Sequence, residues 1–172
     1  MTPATFITNG NGEIAMARIS FTGLDKYLEQ LNKIGNASTA ICKMALYDGA
    51  AVVGNAIRAE VEALPTTDRN GDPQQILEYE KEGLLEGLGV AKMKSKNGVI
   101  YTRIDFDGYN RLKSKKYPSG HPNSMVARAI NSGTSKRPKN PFMLRAVRKA
   151  REKANAAMAA KIDDVLYKFM KK

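Results

Sequence analysis

The chain has 172 residues, with 28 Lys and Arg against 17 Asp and Glu, so its formal net charge at pH 7 is +11. A hydrophobic fraction of 42% excludes a wholly disordered chain, and a single cysteine excludes a disulfide framework and zinc-ribbon spacing. No apolar run reaches the ~20 residues that a bilayer-spanning helix needs, so the composition predicts one domain with its own core and no membrane partner.

Most of the excess positive charge lies in one part of the sequence. Residues 111–153 include 13 Lys and Arg and a single acid, Glu152, whereas the rest of the chain has 15 basic and 16 acidic residues. Such a basic block is typical of a nucleic-acid site, a site for an acidic protein or a subunit interface, and equally of a solvated loop and helix face. The charge alone leaves these alternatives open.

Residues 1–15 are polar and rich in Gly and Asn, which predicts a flexible or partner-docked arm. The arm has no secretory signal, so the chain is expected to be made in the cytoplasm, with a native start at Met1 or at Met16. Residues 16–172 are expected to form a single domain.

The N-terminal half predicts a strand at 17–22 and two helices, at 24–34 and 38–64, the first stopped by Gly35 and the second by Pro65. Small residues in the middle of the longer helix allow another element to approach closely. They are Gly49, Ala50, Ala51 and Gly54, and the positions predicted to be buried in this helix are Ile41, Met44, Ala45, Val52, Ile57 and Val61.

The turn-rich segment 65–73 has Asp68, Asn70 and Asp72 at the spacing that opens a calcium-binding EF-hand loop. Pro73 stands where that loop needs Gly, and Tyr79 stands where it needs a bidentate Glu. We therefore predict a plain Asn-Gly turn here and no metal site.

A β-hairpin is predicted from 84–93 and 99–106, with Asn97-Gly98 as the turn. The segment that follows, 108–122, is basic, contains Pro and Gly and has no period, which predicts a long mobile loop.

The C-terminal part predicts a short strand at 125–130 and then a long helix. Asn140 is expected to cap this helix and Pro141 to occupy its first turn. A helix of roughly 30 residues is about 45 Å long, so part of it is expected to protrude or to pack against another subunit.

The side chains that could carry catalysis do not form a convincing set. Cys42 lies in the apolar stripe of a predicted helix, and His121 lies in a Gly-His-Pro loop with no partner visible in the sequence. Phosphate-binding glycine loops, metal-ligand clusters and nucleophile elbows are absent from the sequence. A solvated helix end explains the acids Glu78, Glu80, Glu82 and Glu86. We therefore expect no enzyme activity, no catalytic residue and no cofactor.

Two basic clusters are the candidate docking residues. Both clusters could contact phosphates, so a basic DNA-binding accessory protein is the alternative function. No recognised motif for reading a nucleic-acid sequence is present. In the predicted loop they are Arg111, Lys113, Lys115 and Lys116, interleaved with Tyr109 and Tyr117, and on the last helix they are Arg145, Arg148, Lys149, Arg151 and Lys153.

A family resemblance lies in residues 121–147, HPNSMVARAINSGTSKRPKNPFMLRAV. The segment resembles the bacteriophage head–tail joining and tail-completion proteins of the HK-ninety-seven gene-ten-like family, which show a GTSK step, a basic and proline-containing linker, and PF before an apolar helix. The predicted helices 24–34 and 38–64 and a Gly-x-Leu step at 83–88 extend the match. The chain departs from the family at Glu86, commonly basic, and at Ala146, where a proline is common. The matching motif positions are Ala127, Ile130, Gly133, Thr134, Ser135, Lys136, Pro138, Pro141, Phe142 and Leu144.

The predicted elements give an α+β fold, a small antiparallel sheet of three to four strands packed by two N-terminal helices and a long C-terminal helix. Gly133 is expected to end a strand with a positive φ or a close backbone approach, and Phe142 to place an aromatic ring against the sheet. The resemblance implies a virion structural protein that forms a ring at the head–tail interface, with the six-fold symmetry of that family, as a tail terminator, neck or head-closure subunit. Its implied partners are copies of itself, tail-tube and sheath proteins, the head connector and packaged DNA.

Overall fold

A computed structural model describes residues 5–6, 17–20, 37–68 and 75–170. The predicted helix at 24–34 lies outside these residues. So do most of the N-terminal arm and the Asn-Gly turn predicted within the segment 65–73. In chain order the described elements are β1 (Thr5–Phe6), β2 (Ala17–Ser20), α1 (Ala37–Glu62), β3 (Thr66–Thr67), β4 (Ile76–Leu77), α2 (Glu78–Gly87), β5 (Leu88–Val90), β6 (Lys94–Lys96), β7 (Val99–Phe106), α3 (Asn123–Ser132) and α4 (Phe142–Met170).

The predicted α+β class with a small antiparallel sheet is confirmed. Strand β7 is central: β2 pairs with one side of it and carries β1 at its outer edge, while β5 and β6 both pair with the other side. The short strands β5 and β6 are two parts of one interrupted partner, because Ala91 between them still donates its N–H to the Arg103 carbonyl at 2.7 Å. A two-residue parallel pair, β3 with β4, lies apart from this sheet.

The hairpin turn is confirmed at Asn97-Gly98, between β6 and β7. Asn97 has φ 53° and Gly98 has φ 76°, and two consecutive positive φ angles are what a type I′ hairpin turn requires. The start of the predicted hairpin is wrong, because residues 84–87 belong to helix α2. Glu80 in the first turn of that helix accepts the Leu77 N–H at 3.1 Å and so favours a helical start there.

The predicted strand at 125–130 is also wrong, since these residues lie in helix α3. The N–H groups of Met125 and Val126 both bond to the Pro122 carbonyl and begin the helix. A six-residue apolar segment fits the period of a helix and the period of a strand, and the pattern of buried residues observed here is that of a helix. The buried residues of α3 are Asn123, Val126, Ala127, Ile130 and Asn131.

Helices α1 and α4 pack side by side and run antiparallel. Glu60 of α1 pairs with Arg145 and Lys149 near the start of α4, and Asp48 pairs with Lys161 further along it. Helix α1, with 26 residues, runs beside α4, whose buried positions extend as far as Ile162. The expectation that part of α4 packs against another subunit stays a prediction. The buried positions of α4 are Phe142, Met143, Ala146, Val147, Ala150, Ala154, Met158 and Ile162.

Gly49 is a point of close approach between the two long helices. A Cβ atom at this position would lie 2.6 Å from Cγ of Met158, so the predicted close approach is confirmed here. At Gly54 nothing lies within 4 Å of the equivalent point. The predicted burial of Met44 is wrong, since it is 40% exposed, whereas Leu46 is buried.

This difference between the glycines gives a paired prediction. We expect Gly54→Ala to raise the free energy of unfolding by about 0.5–1 kcal/mol, because alanine has the higher helix propensity and meets no atom. Gly49→Ala should lose that gain, since Met158 has to move away from the new methyl group. Urea denaturation of the two variants tests this, and equal stabilisation by both would contradict the packing described here.

Among the residues that the structure describes, Ser38–Glu62 is the one helix that is long and apolar enough to cross a membrane by length and composition, with a mean hydropathy of 1.2 in its most apolar window. The sequence predicted no segment of this kind, and by length and composition this helix contradicts that prediction. The apolar face of this helix is occupied by α4, as in a core helix.

Candidate interaction surfaces

The basic segment predicted as a mobile loop has a hydrogen-bonded base. We call residues 108–122 the cationic loop. The N–H of Asn110 donates to the His121 carbonyl at 2.9 Å, and the N–H of Asn123 donates to the Gly108 carbonyl at 3.0 Å. The side-chain oxygen of Asn110 accepts the N–H groups of Leu112 and His121. The two ends of the loop are therefore held together by the chain itself.

Two glycines of α2 provide the surface on which this base packs. A Cβ at Gly83 would lie 2.7 Å from Oδ1 of Asn123, and a Cβ at Gly87 would overlap the Asp107 carbonyl oxygen. Asn123 donates its side-chain N–H to the same Asp107 carbonyl at 2.7 Å. This role of Gly83 and Gly87 was not predicted from the sequence, although their spacing of four residues on one helix was a signal for it.

Asn110 and Asn123 are only 5% and 3% exposed, so the loop base has a polar interior. Nδ2 of Asn110 and Oδ1 of Asn123 have no partner among the described residues. Both amides are oriented by their other bonds, and this leaves a donor and an acceptor inside the loop base.

The side chains of the cationic loop point outward. Arg111, Lys113, Lys115 and Lys116 are exposed, as are Tyr109 (62%) and Leu112 (42%). Tyr117, in contrast, is half-buried: its ring lies 4.9 Å from the His121 ring, and the Lys116 ammonium lies 5.5 Å from its centre. The loop thus presents exposed cations together with two exposed apolar side chains.

The family-motif segment lies between α3 and α4. Gly133 ends α3, a helix and not the predicted strand, with φ 79°, and a Cβ there would lie 2.9 Å from the Lys139 nitrogen, as expected for a close approach. The next residues form a tight turn, in which Thr134 and Arg137 exchange backbone bonds and Thr134 Oγ1 accepts the Lys136 N–H. Thr134, Ser135 and Lys136 are exposed at this turn.

Arg137 fastens this turn to α2 through a 2.9 Å ion pair with Glu80, whose carboxylate is 11% exposed. Beside the pair is an open cleft of about 380 Å³. Its lining combines buried isoleucines with prolines and basic side chains: Pro65, Ile76, Ile130, Arg137, Pro138, Lys139, Asn140, Pro141 and Arg145.

Helix α4 begins at Phe142, so Pro141 precedes the first turn in which it was predicted, and its carbonyl accepts the Arg145 N–H at 3.1 Å. Phe142 is fully buried. Its ring meets that of Phe106 on β7 edge to face, with centres 6.2 Å apart, so the predicted aromatic anchor against the sheet is confirmed. The side chain that caps α4 is that of Asn131, whose Oδ1 accepts the Met143 N–H at 3.3 Å, while Asn140 contributes its backbone carbonyl. The roles of Pro141 and Phe142 are therefore structural.

The basic residues of α4 divide into two groups. Arg145 and Lys149 both bind Glu60, at 2.9 and 2.5 Å, so one carboxylate of the same chain balances half of their combined charge. The hydrogen bond from Lys149, together with the Arg145 guanidinium, lowers the pKa of Glu60 below its ordinary value of 4.5, although burial opposes this. Arg148 and Arg151 are exposed on the same helix.

The Glu60 contacts predict a change in pH dependence. A carboxyl group whose pKa falls on folding stabilises the fold above its unfolded-state pKa, and this contribution disappears as the pH falls through the folded-state value. We expect wild type to lose stability between about pH 5 and pH 3, and Glu60→Gln to lose less, with the difference near 1 kcal/mol or below.

The matched control is Glu62→Gln, which removes an exposed carboxylate two residues away that forms no ion pair with a described residue. Thermal unfolding at a series of pH values tests the prediction. The assigned contacts would be contradicted if the loss of stability at acid pH were unchanged by Glu60→Gln and changed by Glu62→Gln.

Cys42 is buried in α1, and burial raises the pKa of its thiol, so the thiol is not activated as a nucleophile. His121 is engaged with the Tyr117 ring in the cationic loop. Over the described ranges no group of three or more His, Cys, Asp or Glu could hold a metal ion. Asp68 belongs to these ranges, whereas Asn70 and Asp72 lie outside them.

Helix α2 connects two of the predicted surfaces. Its Glu82 lies 3.3 Å from Arg111 of the cationic loop, and its Glu80 holds Arg137 of the motif segment. Arg145 borders the same cleft as Arg137. Arg148 and Arg151 of α4 do not line that cleft.

Comparison with known proteins adds no relative: no protein-family model, curated protein or solved structure matches the chain.

Proposed function

We propose that this chain is a virion structural protein that assembles as a ring at the head–tail interface of a phage particle. In this role it caps the tail tube, as a tail terminator, neck or head-closure subunit, and docks the tube to the head connector. The proposal combines the resemblance of residues 121–147 with the α+β fold. The ring has the family's expected six copies, and its location is the virion.

The observation that carries the proposal is the cationic loop. Its base is fixed by hydrogen bonds, yet it exposes Tyr109 and Leu112 among Arg111, Lys115 and other cations. Exposed aromatic and apolar side chains next to arginine are typical of protein–protein interfaces. A preformed loop of this kind loses little conformational entropy on docking.

The alternative is a DNA-binding accessory protein, favoured by the same exposed cations and by Arg148 and Arg151. The two functions differ in a direct measurement. A DNA-binding protein binds duplex DNA tightly at low salt, with an affinity that falls steeply as salt rises. A ring subunit binds free duplex weakly and associates with its own copies or with tail components.

The test uses the full chain and the variant Lys115→Glu/Lys116→Glu. We expect the wild type to be incorporated into tails and the variant to be lost from them, while fluorescence anisotropy shows only weak binding of wild type to duplex DNA. The matched control is Lys43→Glu/Asp163→Lys, two exposed charge reversals at the far end of the helix pair. Tight, salt-sensitive DNA binding with normal incorporation of the loop variant would overturn the proposal.

A further inference from the structure

Helix α2 has an exposed row of acids that complements the cationic loop. Glu78, Glu82 and Glu86 are exposed and follow one another at intervals of four residues, which places them on one face of the helix. We call these three residues the glutamate stripe. Glu78 and Glu86 form no ion pair with a residue that the structure describes.

The chain already shows one contact between the two surfaces. Arg111, at the base of the cationic loop, lies 3.3 Å from Glu82 in the middle of the glutamate stripe. Lys113, Lys115 and Lys116 are further out on the loop, exposed and without an ion pair to a described residue. Within one chain, therefore, Arg111 contacts the chain's own glutamate stripe, and the three lysines of the loop are exposed.

We infer that the outer cations of one loop dock on the glutamate stripe of a second copy of the chain. The inference rests on the proposed ring, and it names the two surfaces that meet. A ring needs a heterologous contact between two different patches of the same chain, and the loop and the stripe are two such patches. Tyr109 and Leu112 add apolar surface at this contact, while the opposite charges fix the partner and the register.

A second copy fits these surfaces better than nucleic acid does. Glu82 lies beside Arg111, so a phosphate backbone that approached the loop would also approach the acidic face of α2. The glutamates oppose a polyanion and attract the lysines of another subunit. Because both groups are solvent-exposed, the association should weaken as salt rises.

The experiment reverses each surface separately and then mixes the products. The loop variant is Lys113→Glu/Lys115→Glu/Lys116→Glu and the stripe variant is Glu78→Lys/Glu86→Lys. Self-association is measured by light scattering after size exclusion over a concentration series. We expect each variant alone to need about tenfold more protein to assemble than wild type. An equimolar mixture should assemble again, because each native surface and each reversed surface then meets its complement.

The control Lys43→Glu/Asp163→Lys should assemble as wild type does. Glutamine versions of both variants, which remove charge without reversing it, should show a smaller defect and cover the case in which a reversed variant does not fold. A mixture that stays dissociated while wild type assembles would overturn this docking and leave the ring intact. Wild-type chain that never self-associates would also overturn it, whereas the role in the virion is judged separately by the presence of the chain in tails.

Discussion

Phe142→Ala should lower the free energy of unfolding by about 3–5 kcal/mol, which for a domain of this size removes much of its stability. The ring is fully buried at the start of α4 and packs edge to face on Phe106, so its loss leaves a large cavity between the helix and the sheet. Chemical denaturation followed by circular dichroism measures the change.

The matched control for Phe142→Ala is Leu144→Ala, which truncates a half-buried side chain two residues further along the same helix. We expect a loss well below that of Phe142→Ala, because no closed cavity forms. Comparable losses for the two variants would show that Phe142 is not the anchor between α4 and the sheet.

Gly87→Ala has the second largest expected effect, a loss of about 1–3 kcal/mol or more from overpacking. A methyl group at this position would overlap the Asp107 carbonyl oxygen and lie 2.8 Å from Nδ2 of Asn123. Backbone has little freedom to move away, so α2 and the base of the cationic loop must separate. Hydrogen exchange should show faster exchange of the loop amides, including that of Asn110.

Gly89→Ala is the control for Gly87→Ala, since nothing lies within 4 Å of a Cβ at Gly89. We expect its stability and its loop exchange to remain close to wild type. If Gly87→Ala behaved like Gly89→Ala, the packing of the loop base on α2 would be refuted.

The long helices and the hairpin turn were predictable because their signals are local. Apolar residues recur at helical spacing over many turns in the segment 38–64 and from Pro141 to Phe169. The Asn97-Gly98 pair is specific for its turn type. Residues 125–130 gave a wrong strand because six residues satisfy both periods, and burial of Ile130 and Asn131 is a property of the tertiary fold.

The sequence predicted which residues of the candidate surfaces are charged, but only in part which of them are available for an interaction. The sequence shows that Arg145 and Lys116 are basic, but not that Arg145 is paired with Glu60, 85 residues away, while Lys116 stays exposed. It also shows Gly83 and Gly87 without the loop that packs on them. Both facts depend on which distant segments meet, and local sequence patterns do not contain that information.

The proposed role is that of a structural ring subunit that performs no catalysis. The most direct measurement is the copy number and position of the chain in purified phage particles, by quantitative mass spectrometry and electron microscopy of the head–tail junction. We expect a small fixed number of copies, about six, confined to that junction. Particles that are infectious and contain no copy of the chain would contradict it.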